Sequence, residues 1–94
     1  MISNENAQEI ARLSQEVADR YNGTKTCNDA MREIRKYMDK IYELSDWRVQ
    51  LEPYLSDSNF ESGRYKITLR CDNSEDKEII QQYWEQIKWN MKML

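Results

Sequence analysis

The sequence predicts a small α+β domain whose elements follow the order α-α-β-β-α. Two N-terminal segments repeat apolar residues at helical spacing, two middle segments alternate with a period of two, and the last segment returns to helical spacing. The predicted architecture is an antiparallel helix pair, a two-stranded β-hairpin and a C-terminal amphipathic helix. The chain has 94 residues, only two glycines and no linker long enough to divide it, so residues 1–94 are expected to form a single domain.

The first helix is expected to start at a cap on Ser3 or Asn4 and to continue to about Tyr21. Its apolar residues recur at spacings of three and four and form one narrow stripe: Ile10, Leu13, Val17 and Tyr21. Asn22 and Gly23 follow, and glycine readily adopts the left-handed conformation past a helix end. The rest of the helix is polar, so the stripe needs a neighbouring element to cover it.

The second helix is expected to begin at Thr26 or Asn28 and to end near Leu44. Its apolar face is wide and comprises Cys27, Ala30, Met31, Ile34, Met38 and Ile41, flanked by Tyr37 and Tyr42. Because the link over 22–27 is short, the two helices are predicted to pack antiparallel.

Two alternating segments predict a β-hairpin with one buried face and one solvated face. In the first, Trp47, Val49 and Leu51 are expected inward and Arg48, Gln50 and Glu52 outward, with Pro53 ending the strand. In the second, Tyr65, Ile67, Leu69 and Cys71 are expected inward and Arg64, Lys66, Thr68 and Arg70 outward. The polar residues 56–59 between them predict a loop.

A last helix is expected to begin at a cap on Asp72 or Ser74 and to continue to the end of the chain. Its first turns hold Glu75, Asp76 and Glu78, which favour the positive end of the helix dipole. One apolar face comprises Ile80, Tyr83, Trp84, Ile87, Met91 and Leu94. Five residues of helix separate Trp84 from Trp89 by roughly 140° around the axis, so Trp89 is predicted on the opposite side.

The composition offers no catalytic or metal-binding signature. The chain has no histidine, which removes His-based triads, histidine ligands and the usual general base near neutral pH. Both cysteines, Cys27 and Cys71, lie on predicted apolar stripes, no carboxylate interrupts such a stripe, and no glycine-rich phosphate loop is present. No catalytic residue, metal or cofactor is assigned, and the chain is expected not to be an enzyme.

The N-terminal segment lacks the basic and apolar regions of a signal peptide, and no apolar run approaches the length of a membrane span. Two cysteines in such a chain are interpreted as reduced thiols. A cytoplasmic location without membrane association is therefore expected.

The charge of the chain and of the hairpin face allows two interpretations of that face. With 14 basic against 17 acidic residues and a net charge of -3, the chain lacks the overall charge of a general nucleic-acid binder. Four cations, Arg48, Arg64, Lys66 and Arg70, are nevertheless predicted on the outward face, where they would bind phosphates or an acidic protein patch. The alternative interpretation is an ordinary solvated strand face.

Trp89 is the candidate anchor for a protein partner, with Glu85 and Met93 beside it on the outward face of the last helix. The alternative is that another helix of the same chain covers this indole. A two-stranded hairpin is also expected to leave its edges unpaired, and pairing of two hairpins across a twofold axis would cover them. Self-association is therefore expected, with a dimer favoured.

Three functional hypotheses follow. The first is a non-catalytic intracellular protein-binding module, a small adaptor or a stoichiometric inhibitor of the kind that phages and mobile elements direct against host factors. The second is a nucleic-acid-associated regulator that uses the basic hairpin face. The third is a small-ligand binder, with nucleotides as the class to test and a pocket between subunits.

Overall fold

A computed structural model describes residues 2–53 and 63–89 and confirms the order α-α-β-β-α. The elements are α1 (Asn4–Tyr21), α2 (Asn28–Leu44), β1 (Val49–Glu52), β2 (Thr68–Cys71) and α3 (Ser74–Gln81). The two strands pair antiparallel, with Val49 opposite Cys71 and Leu51 opposite Leu69. The loop predicted at 56–59 lies outside the described residues. In the part of the chain that the structure describes, no helix is long and apolar enough to cross a membrane.

The predicted stripe of α1 faces the core. The hydroxyl of Ser3 accepts the N–H of Asn6 and caps the helix, as expected. Ile10 and Val17 are fully buried, and Ala7, Ala11 and Ser14 widen the buried face. Ser14 is polar, but its hydroxyl donates to the carbonyl of Ile10 at 2.6 Å, so its burial leaves no donor unpaired.

In α2, Ile34 and Ile41 are fully buried, and the remaining predicted face is partly buried against them. Cys27 departs from the expectation of burial. It precedes the helix in an extended conformation, and its exposed thiol accepts the N–H of Ala30 as the helix cap. The capping position turns the thiol back over the first turn and away from the core.

The link between α1 and α2 is held by backbone hydrogen bonds to the residues before β2. Gly23 N–H donates to the Tyr65 carbonyl at 2.8 Å, and Tyr65 N–H donates to the Thr24 carbonyl at 2.9 Å. The Tyr65 hydroxyl donates to the carbonyl of Cys27 and accepts its N–H, at 3.0 and 3.2 Å. Gly23 meets this geometry with a φ of 80°, which glycine adopts without steric cost.

The strands bury the side chains that alternation predicted, with two exceptions. All six inward residues other than Trp47 are buried: Val49, Leu51, Tyr65, Ile67, Leu69 and Cys71. Thr68 was expected to face solvent but is also buried, and its hydroxyl donates to the carbonyl of Glu52 at 3.4 Å. Trp47 lies outside β1 and is exposed.

Each edge of the strand pair is covered at one point. Leu69 N–H donates to the Lys88 carbonyl at 2.9 Å, and Trp89 bridges Leu69 in parallel along the outer side of β2. On the side of β1, the Ser45 hydroxyl accepts the N–H of Val49 at 3.0 Å and lies 3.2 Å from its carbonyl. Pairing of hairpin edges between two molecules and the oligomeric state stay predictions.

The C-terminal helix is shorter than expected. It ends at Gln81, and 82–89 forms turns followed by an extended segment, so the prediction of a continuous helix is wrong over these residues. The segment contains no glycine or proline that would signal a helix end. Burial of Ile87 and the backbone bond from Leu69 to Lys88 stabilise the extended conformation, and this tertiary pairing outweighs local helical preference.

A buried carboxylate joins the N-terminus, the start of β1 and α3. Asp76 was expected in an exposed first turn, but it is fully buried. Its Oδ1 accepts the N–H of Ile2 at 3.2 Å and a hydrogen bond from Arg48 Nη1 at 3.4 Å. Its Oδ2 lies 3.3 Å from the same guanidinium nitrogen as an ion pair without hydrogen-bond geometry. We call these three residues the Asp76 junction.

Replacing Asp76 by asparagine is expected to destabilise the protein, because the isosteric amide removes the negative charge that compensates Arg48. The free energy of unfolding should fall by about 2 kcal/mol, the range for a hydrogen bond to a charged group. Urea denaturation followed by circular dichroism measures this change. Glu78→Gln, a matched substitution at an exposed position of the same helix, is the control and should change stability little. Equal stability of the two variants would contradict a structural role for the junction.

Candidate functional site

Two stacked aromatic side chains form the most prominent apolar feature of the described surface. Trp47 is 71% exposed and Tyr42 is 36% exposed. Their ring centroids lie 6.1 Å apart with an interplanar angle of 17°. We call this pair the aromatic ledge. Tyr83, the other large apolar residue exposed in the described part of the chain, is 40% exposed and belongs to the turn after α3.

The ledge is produced by a left-handed turn at the end of α2. Asp46 and Trp47 have φ angles of 53° and 68°, a region that aspartate tolerates but that is strained for a bulky aromatic residue. Trp47 N–H donates to the Tyr42 carbonyl at 2.8 Å, and Arg48 N–H donates to the Ser45 carbonyl at 3.2 Å. The turn reverses the chain and points the indole outward, so the prediction that Trp47 faces inward on β1 is wrong.

A small hollow lies beside the ledge. Its volume is about 100 Å³, and it is lined by Trp47, Arg48, Gln50, Arg70 and Asp72. Gln50 and Arg70 are opposite one another in the strand register. Arg70 Nε lies 3.9 Å from the exposed carboxylate of Asp72, whereas Arg48 reaches back to the buried Asp76. We call this the arginine hollow.

A shallow groove lies between α2 and β1. It has a volume of about 430 Å³ and is lined by Met38, Asp39, Tyr42, Gln50, Leu51, Glu52 and Pro53. Tyr42 lines the groove, Trp47 lines the arginine hollow and Gln50 lines both. The ledge therefore has a concave surface on each side, one with cations and one with carboxylates.

The four cations predicted on one hairpin face are only partly brought together. Arg48 and Arg70 share the arginine hollow. Arg64 lies beside the link between α1 and α2, where its backbone forms an isolated antiparallel β-bridge with Lys25. Its Nη1 donates to the Gly23 carbonyl at 2.8 Å. Lys66 is exposed outside the hollow. A continuous basic face is not formed, and anion binding by these residues stays a prediction.

The structure places the predicted anchor Trp89 differently from the sequence. The indole is half-buried against the core, and Lys77 Nζ lies 5.6 Å from its ring centroid. Glu85 is exposed in the turn segment after α3, and Met93 lies outside the described residues. The geometric premise, an outward indole on a helix, is therefore wrong.

A sequence signal for the outward position of Trp47 existed in the preceding Ser45-Asp46, since both are turn formers and aspartate tolerates positive φ.

A third cavity, of about 200 Å³, lies between α1, β2 and the C-terminal segment, with Asp19, Asn22, Thr68 and Lys88 among its lining residues. Sites for drug-sized ligands are usually about 300–1,000 Å³, so this volume suits a few atoms rather than a nucleotide. No group of three or more cysteine, aspartate or glutamate side chains in the described residues could hold a metal ion.

No family model, curated protein or solved structure matches the chain.

The exposed indole should be visible in fluorescence quenching by acrylamide. The chain has three tryptophans, and Trp84 and Trp89 are partly buried whereas Trp47 is largely exposed. Trp47→Phe is expected to remove the most quenchable and most red-shifted emission, with Trp89→Phe as the matched control. A larger loss of quenching in the Trp89 variant would contradict the described exposures.

The two thiols should react at different rates with a disulfide reagent. Cys27 is exposed, whereas burial raises the pKa of Cys71 and lowers its thiolate fraction at a given pH. Wild type should show one fast and one slow phase, and Cys27→Ser should keep only the slow phase. Because the pKa is raised, that phase should accelerate only at a pH above the usual thiol range. Two fast phases at neutral pH would contradict this assignment.

Proposed function

We propose that the chain is a non-catalytic protein-binding module, a small adaptor or a stoichiometric inhibitor, and that the aromatic ledge is its docking surface. The observation that carries the proposal is Trp47: a large indole, mostly exposed, held in a strained backbone conformation. Strained residues occur preferentially at functional sites, where the surrounding structure maintains them.

The energetics favour an interface role for this indole. A buried Trp removes roughly 150–250 Å² from water, at about 25 cal/mol per Å². Covering the exposed part of Trp47 would therefore contribute about 3 kcal/mol, which is the size of an interface hot spot. Stacking on Tyr42 contributes only about 1 kcal/mol within the chain. In its outward position, Trp47 would thus contribute more free energy to a complex than its stacking contributes to the isolated molecule.

Hydrogen bonds hold the backbone of the turn that carries the ledge. Trp47 and Arg48 are tied by backbone bonds to Tyr42 and Ser45, and Ser45 is itself buried and bonded to Val49. A preordered anchor loses little conformational entropy on binding, which favours affinity.

The residues around the ledge also suit a protein interface. Tryptophan, tyrosine and arginine are the types most enriched at hot spots, and here Trp47 and Tyr42 are bordered by Arg48 and Arg70. The same residues would suit a stacking platform for single-stranded nucleic acid. The net charge of -3 favours a protein over a polyanion as the partner.

Two further properties belong to the proposal. A cytoplasmic location is supported by the unpaired state of Cys27 and Cys71. Self-association would use the same surface, because a second copy of this chain could be the protein that binds the ledge. Light scattering over a range of concentrations tests it: a dimer that dissociates in Trp47→Ala supports a copy on the ledge, and a monomer throughout excludes one.

The docking role is tested by affinity capture from native lysate with immobilised wild type, Trp47→Ala and Tyr83→Ala. Loss of a hot-spot indole should weaken binding by about 2 kcal/mol or more, roughly 30-fold. A specific partner should therefore be retained by wild type and Tyr83→Ala and lost by Trp47→Ala, with all three equally folded by circular dichroism. Equal retention by both variants would contradict the ledge, and retention of nucleic acid alone would favour the regulator hypothesis.

A further inference from the structure

We infer that the partner segment on the ledge is acidic: an Asp or Glu side chain seated in the arginine hollow, next to an apolar residue packed on Trp47. This inference rests on the proposed function and names the chemistry of its partner.

The arginine hollow has more hydrogen-bond donors than the described residues use. A guanidinium carries five N–H groups in a planar fork. Within the described residues, Arg48 reaches Asp76 through Nη1 alone, and Arg70 approaches Asp72 only through Nε. The remaining donors of both side chains have no protein acceptor there, so an incoming group that binds here must bring acceptors.

The acids nearby do not neutralise the hollow for a partner. Asp76 is fully buried behind Arg48 and is already engaged with Ile2. Asp72 is exposed at the rim, and its 3.9 Å separation from Arg70 Nε is an ion pair without a hydrogen bond. A carboxylate from a partner would form shorter, charge-assisted bonds and would displace this weak contact.

Arg48 and Arg70 are only partly exposed, which suits them to bind a carboxylate of a partner. The side chains of Arg48 and Arg70 are 41% and 36% exposed, so each is accessible to a partner and partly sheltered from solvent. Arg48 is also held in place by the Asp76 junction, which reduces the conformational entropy lost on binding. A bidentate contact from such an arginine is stronger and more directional than one from a free surface cation.

The size of the hollow limits the ligand. Its volume of about 100 Å³ equals roughly three water molecules at about 30 Å³ each. That space accommodates the end of an acidic side chain but not a nucleotide. The Trp47 indole stacks on Tyr42 and also lines the hollow. An apolar residue adjacent to the carboxylate would therefore pack on Trp47.

Selection from a display library of random seven-residue peptides on the immobilised full chain tests the inference. Enriched sequences should place Asp or Glu next to an aromatic or aliphatic residue. A synthetic peptide of the enriched sequence should bind Arg70→Gln roughly tenfold more weakly than wild type. Replacing its acid by the amide should cause the same loss, without further loss when both changes are combined, and binding should weaken with salt.

Arg32→Gln is the matched control, since it removes an exposed guanidinium at the start of α2, about 15 Å along the helix from Tyr42. It should bind the peptide like wild type. Enriched peptides that need Trp47 but show no acidic preference, or that are insensitive to Arg70→Gln, would overturn the acidic partner and leave the proposed function standing. Absence of any peptide whose binding depends on Trp47 would count against both.

Discussion

A buried carboxylate sets the main constraint on this fold. An unpaired charge in the interior costs several kcal/mol, so a chain that buries Asp76 must bring compensating groups to it. Those groups come from distant parts of the sequence: the N–H of Ile2 before α1 and the guanidinium of Arg48 before β1. The carboxylate thereby determines where the N-terminus, the strand pair and α3 meet. The hydrophobic faces of these elements supply most of the stabilisation, and the charged contact makes one arrangement specific.

The same constraint extends to the surface. Arg48 reaches back to Asp76, and the chain leaving α2 reverses within the three residues before it. Ser45 bonds to Val49, Asp46 and Trp47 adopt left-handed conformations, and the indole is placed outside the core. Tyr42, two residues before the end of α2, then stacks on it. The aromatic ledge and the arginine hollow thus border one turn, and the proposed docking surface lies where that turn leaves the interior.

Periodicity predicted the parts of the fold that depend on a repeated pattern. The stripe of α1, the face of α2 and the alternation around β2 were correct because burying one face is a local, repetitive requirement. Three features depended on single tertiary contacts, and such contacts produce no periodic pattern in the sequence. An acid in the first turn of a helix looks the same whether it faces solvent or, like Asp76, meets a distant arginine. Residues 82–89 carry helical spacing, yet strand pairing with Leu69 determines their conformation. Trp47 follows the strand pattern, yet a turn precedes the strand. The sequence placed a candidate anchor at Trp89, beside Glu85 and Met93, and the arginines on a separate hairpin face. The proposed docking surface instead combines Trp47 with Arg48 and Arg70.

The Asp76 junction is expected to hold the turn that presents Trp47. Nuclear Overhauser contacts of the Trp47 ring, recorded in wild type and in Asp76→Asn, measure this dependence. Contacts between the Trp47 and Tyr42 rings should be present in wild type and should weaken in the variant, while contacts within the α1–α2 interface persist. Contacts from Trp47 to core residues such as Val49 in wild type, or an unchanged Trp47–Tyr42 pattern in the variant, would exclude this role of the junction.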